Sequence, residues 1–239
     1  MASPRATARQ QQPPLSGEDA VGEQKRAAAR AAAELIEDGM RVGLGTGTTV
    51  AYLLPAIVER ASKGLRCVAT SPATEAAARE LGLTVESLDE VGELDIAIDG
   101  ADQIDPRGWL VKGGGGAHTR EKIVAVSARC FVVIASADKA VPELAPPVPL
   151  ELVPFGAGHT LASLAPARLR GLPASPDGGL IADYLGPVAD PRELAARLNA
   201  TPGVVEHGLF EPELVSLILI AGADSVQRRA GAKPSATNR

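Results

Sequence analysis

Aromatic side chains make up only 3% of this 239-residue chain, which has two cysteines, two methionines, one tryptophan and three histidines. With so few rings, any core must be packed from Val, Leu, Ile and the abundant Ala. Cys67 and Cys130 each lie in an apolar, strand-like run (residues 65–69 and 130–135) and read as buried free thiols rather than the halves of a disulfide. His118, His159 and His207 are scattered without metal-ligand spacing. No apolar run approaches the length of a membrane span. A basic excess is missing as well, the formal net charge being -5. Neither nucleic acid nor an anionic membrane is therefore an expected partner. An anionic small molecule stays open, because a local cluster of amides and one or two lysines outweighs a diffuse field of the wrong sign.

Residues 1–17 are polar and lack the apolar segment of a secretory signal. They are expected to form a disordered tail on a cytoplasmic protein, the alternative being a transit peptide with two arginines and no acid before Glu18. Residues 231–239 read as a second loose tail.

Between the tails, strand and helix signals alternate. An alanine-rich helix is expected over residues 24–37, closed by Gly39, and a strand over 40–44. A helical pattern then runs to about Ala61, followed by a strand over 65–70. Ser71-Pro-Ala-Thr-Glu75 reads as an N-cap with proline at the first helical position. Strands are expected over 94–98 and 130–135, with a helix between them capped by Thr119 and presenting Ile123, Val124 and Val126 on its apolar side. This alternation predicts an α/β fold with a Rossmann-like parallel sheet, whose ligands bind beyond the carboxyl ends of the strands.

Five prolines between 141 and 154 mark an extended connector. Beyond it, short strand signals at 151–153, 180–183 and 204, with helices near 161–169 and over 192–198, predict a second, smaller α+β domain. The apolar run 215–221 is expected to return to the main sheet. The expected division is 18–145 with 212–230 for the larger, catalytic domain and 146–211 for the smaller one.

Three loops carry the chemistry. Gly45-Thr-Gly-Thr-Thr49, between a strand and a helix, offers amides and hydroxyls as an anion cradle, or is an ordinary strand-to-helix turn. It lacks the Gly-Lys-[Ser/Thr] ending of a Walker loop and the third glycine of a dinucleotide fingerprint. Asp99-Gly-Ala-Asp102 places two carboxylates three residues apart, with Asp105 as a third. They suit sugar hydroxyls and proton exchange, or form a simple acidic turn. Lys112-Gly-Gly-Gly-Gly-Ala-His-Thr-Arg-Glu121 opens on a cation and closes on a carboxylate. Glycines let backbone amides approach a ligand, which suits a developing oxyanion. Glu121, in the first turn of a helix, reads equally as a general base or as an acid stabilising the helix dipole. Lys139, after a strand, and Lys25, in the first helix, can both reach a phosphate, although for Lys25 a solvated helix face is the stronger local reading. His118 has no visible partner.

Taken in order, Val42-Gly-Leu-Gly-Thr-Gly-Thr-Thr49, Asp99-Gly-Ala-Asp102-Gln-Ile, Lys112-Gly-Gly-Gly-Gly-Ala-His-Thr-Arg-Glu-Lys-Ile123 and Pro202-Gly-Val-Val-Glu-His-Gly-Leu-Phe210 resemble the type A ribose-5-phosphate isomerases. The resemblance implies interconversion of D-ribose 5-phosphate and D-ribulose 5-phosphate through an enediolate, in the non-oxidative pentose phosphate pathway, without metal or organic cofactor. It implies substrate binding by Thr46, Gly47, Thr48 and Thr49. Asp99, Gly100, Ala101 and Asp102 would line the sugar, the two acids assisting ring opening. Lys112 and the amides of Gly113, Gly114 and Gly115 would hold the C1 and C2 oxygens. Glu121 would accept the proton, and Lys139, with Lys25 more loosely, would bind substrate, Lys139 at its phosphate. The chain departs from the family at Ser136, where an Asp is usual three residues before Lys139, and at Pro176-Asp-Gly-Gly, which replaces a longer basic loop. A homodimer is the base-rate expectation. Two other readings are a sugar-phosphate sensor related to transcription regulators, which would carry a helix-turn-helix and a basic surface, and a hexosamine-phosphate deaminase-like enzyme, which would need a different acid–histidine arrangement.

Overall fold

The computed structural model describes residues 17–60 and 62–234. The chain enters through α1 (Gly17–Ala33), then passes through β1 (Arg41–Leu44), α2 (Thr48–Glu59), β2 (Arg66–Ala69), α3 (Pro72–Glu80), the single turn α4 (Leu88–Val91) and β3 (Leu94–Gly100). Two short strands, β4 (Gln103–Ile104) and β5 (Leu110–Val111), precede α5 (His118–Ser127) and β6 (Ala128–Ser136). Next come β7 (Val148–Leu152), α6 (Ala157–Ser163), β8 (Ala167–Leu169), β9 (Leu180–Tyr184), α7 (Pro191–Asn199) and β10 (Val204–His207). The chain returns through β11 (Leu209–Phe210), β12 (Leu217–Ala221) and β13 (Val226–Ala230).

The main sheet has the order β13-β12-β6-β3-β1-β2 and is parallel except for the β12–β13 hairpin. Alternation along β6 divides its side chains between the two faces. Val132 and Ile134 join the core under α1 and α2, whereas Phe131 and Val133 join Val124 and Ala125 of α5 on the other face. Ala28, Ala29, Ala32 and Ala33 of α1 are buried, and their small side chains suit close helix packing where aromatics are scarce. A second sheet, β10-β7-β9-β8, is antiparallel and packs α7 against Leu150, Leu152 and Ala182. The three-stranded β11-β5-β4 lies between the two cores: Leu110 and Phe210 pack on the first, Val111 and Leu209 on the second. The expected class, a Rossmann-like parallel sheet with a smaller second unit, is what the chain adopts, and β12 does return to the main sheet.

Several local expectations need correction. The first helix is α1, beginning at Gly17 and ending at Ala33, because acids Glu18 and Asp19 favour its first turn and turns follow Ala33. The proline-rich stretch is not wholly a connector, since β7 with Pro149 lies inside it. The region 161–169 divides into the end of α6 and strand β8, with a break at Pro166. Helix α3 matches its expected cap: the Ser71 hydroxyl accepts from Thr74 N at 3.2 Å, with Pro72 at the first position. The expected end of the second helix, Ala61, and residues 1–16 and 235–239 of the two tails lie outside the described residues. Within the tails, Gly17 opens α1, and Gly231 and Lys233 donate from their backbones to Ser216 and Val215.

Candidate active site

The site opens where β1 and β3 end, at the carboxyl edge of the parallel sheet. Helix α2 begins at Thr48 with no side-chain cap, its N-cap being Gly47 at φ 106°. The first amides of α2 therefore face an anion-accepting position. Lys25 of α1 reaches across and donates to Thr48 Oγ1 at 2.8 Å. Lys139 approaches the same cleft from the turn after β6. Ser136, where the family usually has an acid, donates its hydroxyl to Asp138, and Asp138 Oδ2 lies 3.3 Å from Lys139 Nζ.

Deeper in, β3 delivers Asp99. One of its oxygens accepts from Thr46 N at 3.1 Å and Gly100 N at 2.7 Å, and the other lies 2.8 Å from Lys112 Nζ. A Cβ at residue 45 would sit 1.9 Å from the Asp99 carboxyl carbon, so only glycine fits there. Lys112 also donates to Gly100 O at 2.6 Å and lies 3.0 Å from Glu121 Oε2. All three ionisable side chains are at most 5% exposed. Beside them, Gly114 N donates to Asp102 Oδ2 at 2.8 Å, and Gly113 has φ 97°, a conformation that favours glycine.

This geometry sets the charges. Burial alone works against the Lys112 ammonium, but Asp99 and Glu121 outweigh it and raise its pKa above that of an ordinary lysine. Burial also pushes Glu121 up, Asp99 adds to this, Lys112 opposes it, and the net is a pKa of about 7. Asp99 is likewise raised, burial outweighing Lys112. A carboxylate that titrates near neutrality beside a fixed ammonium is suited to accepting a proton from a weak carbon acid and returning it.

The cleft is lined by Lys25, the residues 46–49, Gly100, Ala101, Asp102, Lys112, the residues 113–115, Glu121 and Lys139. Every expected binding residue thus meets there except Asp99, which is not among the residues lining the cleft and has its carboxylate against Lys112 Nζ. Asp105, the third acid, points elsewhere, to Arg107 and Trp109 N. On α5 the expected apolar side holds at Val124 and fails at its two neighbours. Ile123 and Val126 are 48% and 55% exposed, and the buried side chains are His118, Glu121, Val124 and Ala125. Nor does Thr119 cap α5, which starts at His118; its hydroxyl bonds the buried Glu151 of β7. Sequence reading missed Arg170, whose Nη1 donates to both Gly113 O and Gly114 O at 3.0 Å. It lies 57 residues from Gly113 in a segment with no motif, so no local signal marks it.

Residues 66–225 match the family model for ribose 5-phosphate isomerase A (phosphoriboisomerase A). The chain belongs to this family. It is 49% identical over 204 residues to ribose-5-phosphate isomerase A of Caulobacter vibrioides, covering 79% of this chain and 89% of that protein. The enzyme of the same name from Nitrobacter hamburgensis is 42% identical over 222 residues, covering 85% of this chain and 95% of the relative. Among solved structures, ribose 5 phosphate isomerase A from Neisseria gonorrhoeae superposes with a TM-score of 0.84 at 30% identity, covering 88% of this chain and 97% of that one. A D-ribose-5-phosphate isomerase in complex with phospho-erythronic acid gives 0.82 at 32% identity, covering 88% and 99%. The chain is an isomerase acting on ribose 5-phosphate, and its place in the pentose phosphate pathway follows from the family. No helix among the described residues is long and apolar enough to cross a membrane.

Proposed function

We propose that this isomerase works through an enediolate, with Glu121 carrying one proton between C2 and C1 of the open-chain sugar. The observation that carries the reading is the buried Asp99–Lys112–Glu121 cluster at the floor of a cleft whose rim is a cationic anion cradle. The amides and hydroxyls of residues 46–49, with Lys25 and Lys139, take the phosphate. Asp102, exposed at the wall, accepts the anomeric hydroxyl proton as the ring opens. Lys112 and the loop amides of residues 113–115 hold the C1 and C2 oxygens. Asp99 keeps Lys112 charged, and Lys112 in turn keeps Glu121 from rising beyond the neutral range. Phospho-erythronic acid, which one relative binds, presents a phosphate and a carboxylate, a charge pattern close to that of the enediolate phosphate.

The test is isomerisation of ribose 5-phosphate in D2O containing EDTA, followed by the isotope content of ribulose 5-phosphate. An enediolate route washes deuterium into C1. Because Glu121 can return the same proton before it exchanges, complete retention of the substrate hydrogen sinks the reading only if Glu121→Gln also turns over at the wild-type rate, as a hydride shift would allow; loss of activity in EDTA would indicate a required metal and sinks it outright.

We also propose a cytoplasmic homodimer, and a division of the chain at about residues 145 and 211. The second sheet and its loops leave Val153, Phe155 and Val205 exposed, Phe155 at 91%. The exposed Phe155 ring beside this sheet is a side chain that a second copy of the chain could cover. Sedimentation equilibrium is expected to return twice the 24.5 kDa chain mass; a monomer at micromolar concentration would refute the dimer.

A further inference from the structure

We infer that Arg170, from the second sheet unit, is a positioning residue for the catalytic glycine loop. This rests on the proposed role of that loop in holding the sugar oxygens. Arg170 follows β8 and is itself held from behind: Nε lies 2.9 and 3.0 Å from the two oxygens of Asp183 on β9, and Nη2 lies 2.6 Å from Oδ1. The pair is largely buried, 15% and 9% exposed at its side chains. A guanidinium fixed in this way has one nitrogen left, and Nη1 donates to the carbonyls of Gly113 and Gly114, each at 3.0 Å.

Those two carbonyls belong to the peptide groups whose N–H ends are Gly114 and Gly115, both on the cleft wall. A peptide is planar, so fixing its oxygen on one side aims its N–H to the other. Gly114 N accordingly meets Asp102 Oδ2 at 2.8 Å. Four consecutive glycines have little preference of their own for this arrangement, because glycine has the widest conformational freedom. An external clamp supplies what the sequence of the loop leaves unset. A cation on the carbonyl also polarises the peptide and makes its N–H a stronger donor. Three further contacts join the same unit to the helix that follows the loop: Glu151 with Thr119, Asp177 with Arg120 at 2.7 Å, and Glu206 with Lys122 at 2.6 Å. These hold α5; at the loop itself Gly113 O also accepts from Gly116 N at 3.0 Å, a turn within the loop, and Arg170 is the side chain of the second unit that reaches both the Gly113 and Gly114 carbonyls.

The test compares wild type with Arg170→Met, Arg170→Lys and the double variant Arg170→Met/Asp183→Asn. The double variant is needed because Arg170→Met alone leaves the buried Asp183 carboxylate unpaired and lowers stability for that reason. Expected for both Met-containing proteins is a fall in kcat of about 10- to 100-fold, less than the loss of a direct oxyanion donor, with KM for ribose 5-phosphate within about threefold. Inhibition by 4-phosphoerythronate is expected to weaken by a similar factor to kcat, whereas inhibition by inorganic phosphate stays unchanged. Arg170→Lys, which keeps the charge but not the fork, is expected to recover part of kcat. If the double variant regains wild-type kcat together with wild-type Tm, Arg170 is only structural and the inference fails. Amide hydrogen exchange at Gly114, read without substrate, is expected to speed up in both Met-containing proteins. That readout tests the clamp separately from the reaction: unchanged exchange overturns the clamp, and an inactive wild type overturns the mechanism.

Discussion

Glu121→Gln is expected to lower kcat by about 10⁴-fold, at the upper end of what a positioned general base contributes, while KM for ribose 5-phosphate changes by less than about threefold. The substitution keeps the shape of the side chain and removes only its ability to take a proton, and the phosphate cradle lies at the far end of the cleft. Steady-state kinetics on the purified variant decides it, and retained turnover would remove Glu121 from the mechanism. In wild type, activity must follow the ionised form of Glu121. With its pKa at about 7, kcat/KM is expected to fall about tenfold per pH unit below neutrality and to level off above it. The same shift makes the base a cost to the fold. Between the ordinary value of 4.5 and about 7 the unfolded chain releases this proton and the folded chain keeps it, so stability drops as pH rises through that window and is flat beyond. The amide introduced by Glu121→Gln resembles the protonated acid and escapes the loss. The inactive variant is therefore expected to be more stable than wild type at pH 8, by on the order of 1–3 kcal/mol, and equal to it near pH 4. Denaturant titrations at the two pH values measure this directly.

Lys112→Met is the second large effect. Lys112 Nζ is shared by Asp99, Glu121 and the Gly100 carbonyl, all within 3.0 Å. Removing it leaves two buried carboxylates in one site without a cation. Breaking such a pair by removing one partner costs about 3–5 kcal/mol, and the loss is expected to grow with pH. Both carboxyls already have raised pKa values, and without the lysine they rise further. The variant therefore approaches wild-type stability as pH falls and the two carboxyls take up protons, and loses most at pH 8. Catalysis is expected to fall by at least about 10³-fold, since an oxyanion donor and the group that keeps Glu121 ionised at neutral pH are lost together. The acid limb of whatever activity remains is expected to move to higher pH. A limb unmoved from about pH 7 would show that Lys112 does not set the ionisation of Glu121.

Much of this site was legible before the fold. The cradle at residues 45–49, the acids at 99 and 102, and the lysine–glycine–glutamate segment 112–121 each carry a local chemical pattern, and each lies at the expected end of a strand. Ser71 and Pro72 announced α3 because a helix N-terminus is specified within four residues. The failures have a common cause. On α5, a run containing Ile123, Val124 and Val126 reads as an apolar face, yet the face the fold covers carries His118, Glu121, Val124 and Ala125, with Glu121 against Lys112, and leaves Ile123 and Val126 exposed. Thr119 has the residue type of a cap but finds a stronger partner in Glu151. The break between α6 and β8 follows Pro166, and the pairing of β8 with β9 is not written in either strand alone.

The sequence by itself determined which residues are candidates for the chemistry, the alternation of strand and helix, and the family, because side-chain type, caps and hydrophobic spacing are encoded over a few neighbouring positions. Only the tertiary structure decided how those residues act on one another. It put Asp99 against Lys112, brought Glu121 within 3.0 Å of the same ammonium, and set Arg170 behind the glycine loop. A pKa near neutrality arises from burial and from charges brought close through space. Neither is a property of any short stretch of chain.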